Sequence, residues 1–113
     1  MKDINEVLNK NQLDVVDIFK KNISRKYEIA SIIIFGSTVR GEGGEGSDLD
    51  ILVVTKTKLS HQDRHEIQKE ATKLNWQYDT NISTIIVDEY NWEKGLYSLM
   101  LIKEEVLRDG VTV

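Results

Sequence analysis

Apolar residues recur at two periods along this 113-residue chain, and each period predicts its own kind of element. Ile4, Val7, Leu8, Val15, Ile18, Phe19 and Ile23 follow three- and four-residue spacings, which predicts an amphipathic helix over 4–23. Asp3 and Glu6 stand at its start in the arrangement of a capping box. Ile29 to Phe35 is a short run rich in β-branched residues, the pattern of a buried strand centred on Ile32, Ile33 and Ile34. Leu49 to Val54 resumes that character. Ser60-His61-Gln62-Asp63 marks a helix start, with Ile67, Ala71 and Leu74 as the apolar stripe of a charged helix. Ile82 to Val87 predicts a third strand. Asn91 to Lys103 places Trp92, Leu96, Leu99, Met100 and Ile102 at helical spacing around Gly95, and a last short strand is expected near Val106-Leu107. The resulting order is αβ, a short helical turn, then βαβα, an α/β arrangement in one domain spanning 1–113.

Composition narrows what such a domain does. With 40% hydrophobic and 30% charged residues it sits in the ordinary globular range. No apolar run approaches the roughly 18 residues of a membrane span, and the first residues lack a signal-peptide core, so a cytoplasmic location without membrane contact is expected. Cysteine is absent, which removes disulfides, thiolate metal sites and a cysteine nucleophile. Fifteen basic against nineteen acidic side chains leave a formal charge of −4, a poor match for gripping an extended nucleic acid.

The polar segment between the first two strands carries the candidate chemistry. Residues two apart on a strand share a face, so Asp48 and Asp50 present paired carboxylates while Leu49, Ile51 and Val53 face the core. Two carboxylates this close repel unless a cation sits between them, and oxygen ligands suit Mg²⁺ or Mn²⁺. Gly36-Ser37 leaves a buried strand and is expected to open a short helical turn, where free N–H groups favour a phosphate. Gly36 permits close backbone approach and Ser37 adds a hydroxyl. Arg40, one turn further on, contacts the same phosphates or pairs with a nearby carboxylate.

Phe35-Gly36-Ser37, ten residues, then Asp48-Leu49-Asp50-Ile51, with Arg40-Gly41 between, resembles the signature of DNA polymerase β-like nucleotidyltransferases. In length and spacing the chain is most similar to minimal nucleotidyltransferases. The resemblance implies a polymerase β-like fold with a small mixed sheet of three to four strands flanked by helices. It implies Mg²⁺-dependent transfer of a nucleoside monophosphate, AMP from ATP or another NTP, through two metal ions held by a carboxylate triad. It further implies Asp48, Asp50 and a third carboxylate as catalytic metal ligands, with Gly36, Ser37, Arg40 and Ser47 as the nucleotide-binding set. The candidate third carboxylate is Asp79, ahead of the third strand. Thr80-Asn81 stand after it where the family pattern has apolar strand residues, and an ordinary loop aspartate is the other reading. In that case the chain would be a nucleotide-binding module acting by holding a partner. Such proteins are often paired with a HEPN-domain toxin as its antitoxin, and that partner is the expected acceptor. The oligomeric state, a homo-oligomer included, is left open.

Three other patterns carry less. Gly41 to Gly46 matches a dinucleotide fingerprint in letters but enters a strand rather than a helix. His61 and His65 sit four apart without completing a zinc motif, and are expected on a solvated helix face. Trp76, Tyr78, Tyr90, Trp92 and Tyr97 are expected in the core or on a partner surface.

Overall fold

The computed structural model describes residues 4–36, 38–40 and 48–113. The N-terminal stripe is helical as its period requires, but in two pieces, α1 (Ile4–Val7) and α2 (Lys10–Ser24). Asn9 separates them. Its side chain accepts the Gln12 N–H at 2.8 Å while the Gln12 side chain accepts the Asn9 N–H at 2.9 Å, a reciprocal cap that restarts the helix. Asn9 and Gln12 thus cap α2, while the capping box expected from Asp3 and Glu6 rests on Asp3, which lies outside the described residues.

Strands β1 (Ile29–Phe35), β2 (Leu49–Thr55), β3 (Ile82–Asp88) and β4 (Val111–Thr112) form one mixed sheet in the order β3-β2-β1-β4. β1 runs antiparallel to β2 and β4. β2 and β3 are parallel because α3 (His61–Tyr78) crosses over between them. Ser60 starts α3 by accepting the Asp63 N–H at 3.1 Å.

Strand alternation divides the core in two. Leu49, Ile51 and Val53, with Ile32 and Ile34, pack on Phe19 and Ile23 of α2 and on Ile67, Ala71 and Leu74 of α3. Phe35, Leu52, Val54 and Val87 face the opposite side, against Trp92 and Val106. Trp76 and Tyr90, by contrast, stand exposed.

The C-terminal region departs from the expected single helix over 91–103. It forms α4 (Glu89–Glu93), a 3-10 turn (Leu96–Leu99) and α5 (Leu101–Asp109). Gly95 is the break: a Cβ there would lie 2.7 Å from the Asn91 Cα, so the chain folds back tighter than a helix permits. Val106 and Leu107 belong to α5 rather than to a strand, because their spacing seats Val106 in the core beneath β1 and β2 while Leu107 stays exposed. The last strand is β4, beyond Gly110. Among the described residues no helix is long and apolar enough to cross a membrane.

Asn75 governs how α3 hands over to β3. Its side chain accepts the Ile82 N–H at 2.7 Å and the Thr80 hydroxyl at 3.0 Å, and donates to the Ile82 carbonyl at 3.1 Å. Asn75→Ala strands a part-buried N–H, so a loss of about 1–3 kcal/mol in unfolding free energy is expected in urea titrations.

Candidate active site

The site lies where β1 ends and β2 begins. Gly36 follows β1 with φ of +91°, a conformation that side chains disfavour, and turns the chain out of the sheet. Thr38 to Arg40 continue as one turn, with the Arg40 N–H on the Gly36 carbonyl at 3.2 Å, the four-residue spacing of the helical turn expected there. Val39 is buried and anchors this turn in the core. The buried Thr38 hydroxyl donates to the Asp48 carbonyl at 2.8 Å, tying the turn to the start of β2. Ser37 and Ser47, both expected to contact nucleotide, lie outside the described residues, as does the glycine-rich stretch from Gly41 to Gly46.

Asp50 sits opposite Phe35 across the β1–β2 ladder, on the face away from α2 and α3. The Gly36 backbone abuts its carboxylate: a Cβ built on Gly36 would collide with Asp50 Oδ2 and lie 3.2 Å from Cγ. Partial burial, first, and the Asp48 carboxylate, second, push the Asp50 carboxyl above its ordinary pKa, with Glu105 adding to them and Arg40 opposing. Asp48 is exposed at the mouth, and its Oδ1 accepts a hydrogen bond from the Asn81 side-chain amide.

Arg40 is ion-paired. Its Nη1 lies 3.1 Å from Glu105 Oε1 and 3.6 Å from Asp109 Oδ2, both on α5. Of the two roles open to Arg40 from its spacing, the carboxylate contact is the one seen, and the partner comes from the far end of the chain. No local pattern around Glu105 signals it. Asn81 is missed as well, since its polar character ahead of the third strand reads only as a departure from the family pattern.

The structure brings Gly36, Arg40, Asp48 and Asp50 together and leaves Asp79 aside. Asp79 is the exposed C-cap of α3, held in the left-handed region at φ 54° and ψ 48°, with its N–H on the Asn75 carbonyl. Aspartate tolerates that conformation, and the helix uses it to stop. β3 starts at Ile82, three residues later, and its register sets Ser83 beside Asp50. The expected third metal ligand thus acts as a helix terminator. Among the described residues no group of three His, Cys, Asp or Glu is disposed to hold a metal ion. The Asp48–Asp50 pair has the hard-oxygen character that a divalent cation takes, and its mutual repulsion is what such a cation would relieve.

A model of the nucleotidyltransferase domain matches residues 16–107. A Methanocaldococcus jannaschii protein, named as a candidate protein adenylyltransferase, is 36% identical over 76 residues, covering 66% of this chain and 77% of that one. A chain from a mutant MntA-HpeT toxin-antitoxin complex superposes with a TM-score of 0.57 at 26% identity, covering 94% of this chain and 72% of its own. A chain from the complex of tri-AMPylated Shewanella oneidensis HEPN toxin with MNT antitoxin gives a TM-score of 0.50 at 25% identity, covering 90% and 70%.

Two outcomes follow from the packing of Gly36 on Asp50. Gly36→Ala meets both a positive φ and the Asp50 carboxylate, so stability should fall by at least about 1–2 kcal/mol in chemical denaturation. An acid whose pKa is raised by the fold holds its proton more tightly folded than unfolded. Asp50 therefore favours the folded state below its unfolded titration range and loses that contribution as pH rises through the raised value. Asp50→Asn should accordingly melt higher than the parent at neutral pH and show no advantage under acid conditions, read from thermal melts across pH.

Proposed function

The chain belongs to the nucleotidyltransferase domain family, and from that premise we propose that it transfers AMP from ATP to a hydroxyl on a HEPN-domain partner, as the antitoxin of a toxin-antitoxin pair. The observation that carries this reading is the convergence of the Gly36 turn with Asp48 and Asp50 at the start of β2. The HEPN partner is supported by the Shewanella oneidensis complex, in which an MNT antitoxin accompanies a tri-AMPylated HEPN toxin. A cytoplasmic location accords with that pairing.

In this proposal Asp48 and Asp50 hold Mg²⁺, with Mn²⁺ as a substitute. When bound, the ion would orient the phosphates and stabilise charge developing at the α-phosphate. The chain's own groups do the positioning. Gly36, lacking a side chain, lets the Asp50 carboxylate lie against the end of β1, where any Cβ would displace it. Asn81 holds the Asp48 carboxylate in place through its amide. Arg40 adds positive charge beside Asp50, and Ser37 and Ser47 complete the proposed nucleotide contacts. The acceptor oxygen forms a bond to the α-phosphorus, the bond from that phosphorus to the departing pyrophosphate breaks, and the acceptor proton leaves to solvent.

A nucleotide-binding module that restrains its partner without transfer is the second reading. It is favoured by the position of Asp79, which leaves the two-ion arrangement without a third carboxylate among the described residues.

Incubation with ATP labelled at the α-phosphate, Mg²⁺ and a HEPN-domain protein from the same genome separates the two. The transfer reading expects label on the partner, reduced at least about 10³-fold by Asp48→Ala. Tight partner binding with no label from any NTP would establish the binding module instead.

A further inference from the structure

β3 is an edge strand, and its free side is chemically distinctive. Ile82 spends both its N–H and its carbonyl on the Asn75 side chain, so that residue's backbone groups point away from β2. In the opposite sense, the Asn81 carbonyl accepts from Leu49 of β2. Strand alternation then directs the N–H and carbonyl of Thr84 and Ile86 outward. Neither takes a hydrogen bond on that side among the described residues. The Asn75 amide acts as the first rung of a missing strand, and two further rungs stand open beyond it.

A groove of about 350 Å³ runs along this edge, from α3 on one side of the sheet to Tyr97 on the other, and a second of about 230 Å³ continues it past Lys58 and Leu96. The α3 wall presents His61, Arg64 and His65 at helical spacing, with Lys58 near the far end. Arg64 has no ion-pair partner among the described residues, whereas Lys58 is within electrostatic reach of Asp88, which lines the second groove with it. The opposite wall is apolar: Tyr97 lines both grooves and Leu96 is 72% exposed. A basic wall on a chain of formal charge −4 is a local reversal of sign.

We infer that the β3 edge is a docking site for an extended segment of a partner protein that alternates acidic with apolar residues and pairs with Thr84 and Ile86 as a fifth strand. An added strand sends alternate side chains to opposite faces of the sheet. Acidic positions would meet His61, Arg64 and His65, while the residues between them would meet Tyr97 and Leu96. A second copy of this chain fits poorly, since pairing β3 with itself sets two α3 basic walls alongside each other. The inference stands on the sheet edge and its flanking charges, independently of the proposed transferase activity.

Fluorescence anisotropy with a short labelled peptide alternating glutamate with valine tests it, with a lysine–valine peptide as comparator. The acidic peptide should bind, the basic one should not, and Arg64→Glu should weaken binding by about tenfold or more. Thr84→Pro removes an outward N–H while leaving the β2 ladder intact, and should weaken binding similarly with an unchanged circular dichroism spectrum. If that variant does not fold, hydrogen exchange on the parent chain serves in its place, with the Thr84 and Ile86 amides gaining protection on peptide addition. Unchanged affinity in Arg64→Glu, or protection gained elsewhere, would overturn the inference. So would dimerisation of the free protein with Thr84 and Ile86 already protected, which would assign the edge to a second copy.

Discussion

Asp48 and Asp50 carry like charges at the start of β2, and the fold must hold them there against their mutual repulsion. Most of what surrounds them serves that end. The Gly36 backbone lies against the Asp50 carboxylate, where any side chain would force the carboxylate aside. Thr38 fixes the Asp48 backbone and Asn81 fixes its side chain, so neither can relax the repulsion by turning away freely. Arg40 opposes it electrostatically, yet is itself held by two carboxylates of α5. The pair is thus left with raised proton affinity at Asp50 and a standing preference for a cation. That is a poor arrangement for stability, of the kind that clusters at functional sites.

The same geometry explains why the last helix matters to a site formed early in the chain. Val106 of α5 is buried beside Phe35, Leu52 and Val54, on the face that carries Asp50. Anchored there, α5 brings Glu105 within electrostatic reach of Asp50 and onto Arg40. Burial of one residue of the helix therefore sets the charge around the carboxylates from a distance of more than fifty positions in sequence.

Local patterns made much of this visible before any coordinates. β1 and β2 were legible because buried strands demand β-branched runs, and the carboxylate face followed from strand alternation once Leu49, Ile51 and Val53 were assigned to the core. α3 was legible from Ser60 and its apolar stripe. The errors arose where a short polar residue outweighed periodicity. Asn9 restarts a helix that the apolar spacing carries straight through, and Asp79 ends α3 in a left-handed turn instead of opening β3. Gly95 did more than weaken a helix, because a close backbone approach at Asn91 made it a complete break. Glu105 could not be read at all, since its meeting with Arg40 depends on how α5 packs and not on any neighbour in sequence.

In the proposed function, the Gly36 turn and the Asp48–Asp50 pair form one cation-dependent nucleotide site. Calorimetric titration with a non-hydrolysable ATP analogue, with and without Mg²⁺, tests it without requiring a partner or turnover. Binding that needs Mg²⁺ and disappears in both Asp48→Asn and Asp50→Asn is the expected result. Equal affinity in the absence of the cation, or in either variant, would contradict it.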